Sequence, residues 1–263
     1  RSTQAKTLFP YTTLFRSEWG VFDEYLFRYV QEELAKATTP QFFFVLTTSN
    51  HPPYETPASF KPEGLKKLDP ELKRLFNKSP DEVLQRMRTL QYANRQLGNL
   101  LTNVKSGPLK DNVVIAATGD HAFWIGKDEG KPGYGRKFGV PFYLYLPTAL
   151  KPATWDPENW GSHIDIMPTL YERTLSEASY WGFGHDMFTG QGAALNSNGV
   201  VVNKQGAWIG GVSYCWQENA VKTLTPCPEN TERLILRNYG RAQIGLTDEF
   251  LRSVSSGMIG TLP

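Results

Sequence analysis

"NVVIAATGDHAFW", residues 112 to 124, is the stretch whose reading decides the fold. The near-continuous apolar run Val113 to Ala117 is the pattern of a strand covered on both faces of a sheet, and a glycine, an acid and a histidine follow it at once. In an open sheet of buried strands, ligands collect where the strands end and loops begin. The backbone turns there, so the adjacent side chains of Asp120 and His121 are not held on opposite faces and both can reach one ion. A carboxylate oxygen with a neutral imidazole nitrogen makes a half-site for Zn²⁺ or Mn²⁺. Read alone, an Asp-His pair is more often an ordinary loop in which the acid caps a turn and the histidine lies half exposed.

Working outward, "QFFFVLT" at residues 41 to 47 and "PFYLYLP" at 141 to 147 have the same apolar, β-prone texture and read as two further strands. Between them lie amphipathic helices. Phe22, Leu26, Tyr29, Val30 and Leu34 form one stripe of a helix from Trp19 to Leu34, ended by Thr39 and Pro40. A second helix starts at "SPDE", where Ser79 is an N-cap, Pro80 takes the first helical position and acids fill the first turn. Its stripe is Val83, Met87, Leu90, Leu97, Leu101 and Val104. In "GSHIDIMPTLYERTL", residues 161 to 175, Asp165 is expected to cap a third helix with Pro168 in its first turn. Buried strands alternating with helices predict a layered α/β/α sheet with parallel pairs and helices on both faces. Beyond Gly190 the texture changes: "NSNGVVVNKQGAWIGG" reads as a hairpin, with a last helix near residues 231 to 254. The expected division is a catalytic-type domain over 18–190 and a small C-terminal unit over 191–263.

Composition narrows the function. The chain has 263 residues, 40% hydrophobic and 21% charged, and a net charge of +2 with no dense run of Lys or Arg, which excludes a phosphate-tracking nucleic-acid binder. The longest apolar runs fall far short of the roughly 20 residues that cross a bilayer. Cys215 and Cys227 suit an extracytoplasmic protein if bonded and a cytosolic one if free.

"WGVFDEYLF", "FFFVLTTSNHPPYETP", "TGDHAFW", "FGVPFYLYLP" and "SHIDIMPTLYE" occur in the order and spacing of the sulfatase branch of the alkaline phosphatase superfamily. The sequence most resembles the lipoteichoic acid synthase-like phosphoglycerol transferases over residues 18 to 190. The resemblance implies that Asp120 and His121 bind a catalytic divalent metal (Mn²⁺, Zn²⁺ or Mg²⁺) and that His51 contacts the transferred phosphate or sulfate group. It gives His163 either a structural bond near a helix start or a contact supporting the site. Lys127, Arg136 and Lys137 follow the metal pair and are candidates to stabilise an anionic group, or else solvated loop cations. The family carries glycine after the Asp-His pair where this chain has Ala122, so a left-handed backbone there would be strained by about 1 kcal/mol.

The implied activity is transfer of phosphoglycerol or a related head group from a lipid to an envelope glycan or polymer through a covalent enzyme intermediate. Sulfate-ester hydrolysis is the close alternative. A reading of another class is a non-catalytic envelope glycan-binding module using Trp181, Trp208, Tyr214 and Trp216, which are otherwise core residues. The implied setting is the extracytoplasmic part of a bacterial protein anchored in the membrane through an N-terminal region, compatible with a Cys215 to Cys227 disulfide.

The opening "TLFPYTTLFRS", residues 7 to 17, has neither strand nor helix period, and the codons of a common sequencing-library adapter translate without a gap into it. Residues 1 to 17 are therefore expected to be non-native. The family's nucleophile (Thr, Ser or modified Cys) and its upstream acidic ligand are not found after Glu18. The expectation is the C-terminal half of an enzyme, inactive by itself on nitrophenyl phosphate or sulfate, with part of its sheet exposed as an apolar edge.

Overall fold

The computed structural model describes residues 20–122, 138–156, 159–175, 179–180, 182–189, 192–196, 199–217 and 223–255. The chain divides near Ile115 into two compact units.

The first unit is helical. α1 (Asp23–Lys36) begins later than the stripe alone predicts because its entry is set by polar contacts, and it buries Phe27 and Val30. A short α2 (Pro70–Lys73) starts at Asp69, whose carboxylate accepts the Glu71 amide at 2.7 Å. α3 (Pro80–Ser106) begins as the sequence dictates: Ser79 accepts the Glu82 amide at 3.3 Å and Pro80 stands where an amide would have no partner. Its buried face carries Val83, Leu84, Thr89, Tyr92, Leu100 and Val104. Leu90, expected in the stripe, is 48% exposed, and the inward position falls to Tyr92. Tyr92 packs edge-on to Phe22 and Phe60 and accepts the Glu24 amide on its hydroxyl. Burial holds the Tyr92 hydroxyl well above the usual phenol range.

The expected strand at 41–47 does not form. Gln41–Thr47 takes no regular secondary structure, no described residue pairs with its backbone, and Phe42, Phe44 and Leu46 stand out into solvent. A strand needs an edge to bond to, and none is offered to this segment among the described residues. That corrects the layered α/β/α expectation. The described strands make a two-stranded sheet and a separate five-stranded antiparallel sheet, a mixed α/β architecture.

In the second unit β1 (Ile115–Thr118) pairs with β2 (Phe142–Tyr145), both shorter than their apolar runs. α4 spans His163–Thr174. Strands β3 (Ala194–Leu195), β4 (Val200–Asn203), β5 (Gly206–Ile209), β6 (Val212–Trp216) and β7 (Leu224–Pro226) follow in meander order, then α5 (Thr231–Ser255). The predicted hairpin is β4–β5, with Val200 opposite Ile209. Gly210 and Gly211 carry β5 into β6 with both φ angles positive, the backbone that a two-residue hairpin turn requires. Residues 200 to 202 are buried because they serve both faces: Val200 and Val202 join Ala207, Ile209, Tyr214 and Leu224, while Val201 joins Leu236 on α5. Of the aromatic tail, Tyr214 is buried and Trp208 and Trp216 pack partly buried against the core, while Trp181 lies outside the described residues. Tyr214 is 5% exposed, and Trp216 stacks on Trp160 and donates its indole N–H to the Asn203 carbonyl at 2.7 Å. Cys215 and Cys227 form a disulfide across the β6–β7 end. No helix among the described residues is long and apolar enough to cross a membrane.

The entry to α1 generates a test. Asp23 is 1% exposed; its amide donates to the Ser49 hydroxyl at 3.2 Å, and that hydroxyl donates back to the carboxylate at 2.7 Å. Burial pushes the Asp23 carboxyl up, so its deprotonation costs stability as pH rises through the folded value. Asp23→Ala should lower the unfolding free energy by about 2–3 kcal/mol by stranding the Ser49 donors. Asp23→Asn, which keeps an acceptor without the charge, should cost much less; urea unfolding of both variants checks this.

Candidate metal and anion site

The strand end is where the sequence places it. β1 closes at Thr118, Gly119 lies against Val140 just ahead of β2, and Asp120 and His121 project beyond with side chains 77% and 70% exposed. The His121 amide donates to Asp120 Oδ1 at 2.9 Å, which fixes the carboxylate over the turn. His121 Nδ1 lies 3.2 Å from the Ala122 carbonyl, an acceptor, so in the neutral ring this contact favours the tautomer with the proton on Nδ1 and the lone pair on Nε2. That Nε2 is 3.7 Å from Asp120 Oδ2. Two donor atoms about 2.1 Å from one tetrahedral ion stand about 3.4 Å apart, so this pair fits two positions of one coordination shell. The carbonyl behind Nδ1 is the kind of partner that sets the tautomer of a ligating imidazole. Tyr54 is the non-glycine residue with a left-handed backbone among those described, so Ala122 carries no such strain and the expectation there is corrected.

His163 reaches this strand end directly. Its Nε2 lies 2.8 Å from the Gly119 carbonyl, one residue before Asp120. It stands at the first position of α4, whose N-cap is Ser162; Asp165, expected as the cap, instead sits in the first turn and accepts the Ser162 amide on Oδ2 at 2.7 Å. Pro168 therefore falls in the helix interior, where its missing N–H leaves the Ile164 carbonyl without its helical donor. The 183–186 loop packs into that gap, and only glycine fits at 184, since a Cβ there would collide with the Ile164 oxygen.

Sequence reasoning missed the residue that locks this loop. His185 donates its amide to Asp165 Oδ1 at 3.0 Å, and its Nδ1 lies 3.0 Å from the same oxygen. Asp165 is fully buried and Thr169 ties it to the next residues, donating to the Asp165 carbonyl at 2.7 Å and accepting the Met187 amide at 2.9 Å. Asp186 is paired with Arg173 of the same helix. The signal was the "GHD" of residues 184 to 186, a second histidine–acid neighbour pair beyond α4. The Asp165 carboxylate raises the His185 pKa above its ordinary 6.5, and burial beside it pushes the Tyr239 hydroxyl up to about 12.

His51 belongs to the first unit. Its turn is held at three points: Ser49 by Asp23, the Pro53 carbonyl by Gln85 Nε2 at 2.8 Å, and the Tyr54 ring by the Arg86 guanidinium 4.7 Å above it. Tyr54 keeps φ at 63°, a strained value that these contacts sustain. His51 Nδ1 bonds the Pro52 carbonyl at 3.0 Å and its ring is exposed. Tyr54, Thr56, Asp81, Gln85 and Arg88 line an open polar groove beside it. Lys127, Arg136 and Lys137 lie outside the described residues. Among the described residues no three His, Cys, Asp or Glu side chains converge as a complete metal cage, and Asp120 and His121 stand as a neighbouring pair without a third such side chain.

A family model for the sulfatases matches residues 3–175. Among solved structures, the fold is similar to the crystal structure of the lipoteichoic acid synthase LtaP from Listeria monocytogenes, with a TM-score of 0.62 at 18% identity over 90% of this chain. The chain spans 62% of the length of that relative. No curated protein matches the chain.

Because the fold raises the His185 pKa, the charged pair with Asp165 stabilises the protein fully below pH 6.5 and less as pH rises through the folded value. Denaturation at pH 6 and pH 8 should show this loss in the wild type, and His185→Gln, which does not titrate, should remove that part of the pH dependence.

Proposed function

Since this chain belongs to the sulfatase family, we propose that it serves a metal-dependent enzyme acting on phospho- or sulfo-esters, by transfer of phosphoglycerol or a related head group from an anionic lipid to an envelope glycan or polymer. The observation that carries the reading is the strand-end pair, with His121 Nε2 turned toward Asp120 Oδ2 and its other ring nitrogen tied to the Ala122 carbonyl. Sulfate-ester hydrolysis calls on the same pair; the likeness to LtaP is what favours transfer.

Asp120 and His121 would hold the divalent ion, Mn²⁺, Zn²⁺ or Mg²⁺. Such an ion, when bound, lowers the pKa of an attacking hydroxyl and offsets charge on the transferred group. His163 keeps the Gly119 carbonyl, and hence the strand end, in register. His51, exposed on its braced turn, contacts the anionic oxygens of the transferred group. Lys127 and Lys137, outside the described residues, are further candidates to bind an anionic group. An extracytoplasmic setting is supported by the Cys215–Cys227 disulfide, since such bonds persist in oxidising compartments.

Titration calorimetry with Mn²⁺ and with Zn²⁺ checks the assignment. The wild-type chain should bind one ion, and Asp120→Ala or His121→Ala should weaken binding about tenfold or more. In the full-length protein Asp120→Ala should abolish metal-dependent turnover. Equal binding and turnover in the variant would remove Asp120 from the site.

A further inference from the structure

His185 stands at one end of a line of hydrogen bonds that finishes at the strand-end pair. The two carboxylate oxygens of Asp165 serve two different segments. Oδ1 accepts the His185 amide and lies 3.0 Å from His185 Nδ1, while Oδ2 accepts the Ser162 amide at 2.7 Å. Ser162 is tied in turn to β3, its hydroxyl accepting the Leu195 amide at 2.6 Å. The next residue, His163, places Nε2 2.8 Å from the Gly119 carbonyl, and Asp120 follows Gly119 directly. In a neutral ring this contact favours the tautomer with the proton on Nε2. The loop that carries His185 is held on both sides of α4's start: Asp186 pairs with Arg173, the Met187 amide donates to Thr169 Oγ1 at 2.9 Å, and the Met187 carbonyl accepts Asn159 Nδ2 at 2.9 Å. All of these residues belong to the second unit.

Taking Asp120 and His121 as the metal half-site proposed above, we infer that His185 is a positioning residue for them, acting through Asp165, Ser162 and His163. Asp165 has no exposed surface, so water cannot replace a donor that is taken away. Without the His185 ring a buried carboxylate is left one donor short, and an unmet buried acceptor costs more than the bond itself contributes. Relief comes from turning the carboxylate, which pulls on the Ser162 amide at its other oxygen. Ser162 is the N-cap of α4 and His163 its first residue, so one does not shift without the other. The Gly119 carbonyl then loses its donor, and the 3.7 Å spacing of His121 Nε2 and Asp120 Oδ2 is no longer fixed. A metal site needs its ligands held within a fraction of an ångström, and the groups behind the ligands do the holding.

Two variants of the full chain separate positioning from mere stability. In His185→Asn the side-chain amide nitrogen takes the place of Nδ1 and keeps the bond to Asp165; in His185→Gln it lies one bond farther out and does not. The side chain of His185 is 32% exposed, so both polar replacements fit, and far-ultraviolet dichroism confirms that both fold. Nitrogen-resolved NMR of the metal-free chain should show His163 protonated on Nε2 in the wild type and in His185→Asn, and a mixture of tautomers in His185→Gln. Calorimetric titration with Zn²⁺ should give an affinity about fivefold or more weaker for His185→Gln and within about twofold of wild type for His185→Asn. In a His163→Gln background, which cuts the relay at its far end, His185→Gln should cost no further affinity. A His185→Gln chain that unfolds at lower urea yet keeps the wild-type His163 ring and Zn²⁺ affinity would overturn the positioning role, while loss of binding in Asp120→Ala would show the half-site still standing. Zn²⁺ bound equally with and without Asp120 would overturn the half-site and the positioning role together.

Discussion

The second unit is organised around one buried carboxylate. Asp165 has no exposed surface, yet it accepts the Ser162 amide, the His185 amide and the His185 ring. A buried acid left without partners would be severely destabilising; with these donors around it, each hydrogen bond to the charged group is worth about 1.5–3 kcal/mol. Its position in the first turn of α4 adds the favourable field of the helix N-terminus. Through Ser162 it fixes where α4 begins, and His163 then meets the Gly119 carbonyl one residue before the strand-end pair. Through His185 it draws in the loop that covers the Ile164 carbonyl exposed by Pro168.

The first unit uses the same device. Asp23, at the first position of α1, is buried against Ser49 and so fixes the turn that presents His51 two residues later. In each unit an acid in the first turn of a helix holds a serine, and a histidine stands within two residues of that serine. A loop has no ladder of backbone bonds to define it, so a buried, fully bonded carboxylate is an effective way to give it one geometry. That is what a binding residue on a loop needs.

Much of this was legible in the sequence. Ser79-Pro80 marked the start of α3 because capping is local chemistry, and the Gly- and Asn-rich texture of residues 196 to 211 marked the β4–β5 hairpin because such residues favour tight turns. The Asp120-His121 pair was found because a buried strand followed by Gly, acid and His is a short-range pattern. What stayed hidden depends on contacts distant in the chain. Residues 41 to 47 have strand composition, but composition cannot supply a partner edge. The buried face of α3 turned toward Tyr92 rather than Leu90 because Phe22 and Phe60 converge there. Asp165 looked like a cap because its bond to Ser162 is local, while its larger role, twenty residues away at His185, leaves no periodic trace.

The central claim is that the strand-end pair is a metal half-site with a pre-set imidazole. Nitrogen-resolved NMR of the histidine rings during Zn²⁺ titration tests it most directly. The account predicts that His121 Nε2 takes the shift of a metal-bound nitrogen while Nδ1 remains protonated toward the Ala122 carbonyl, and that His185 is unmoved. Ring signals of His121 that do not respond to Zn²⁺, or a response carried by Nδ1, would contradict it.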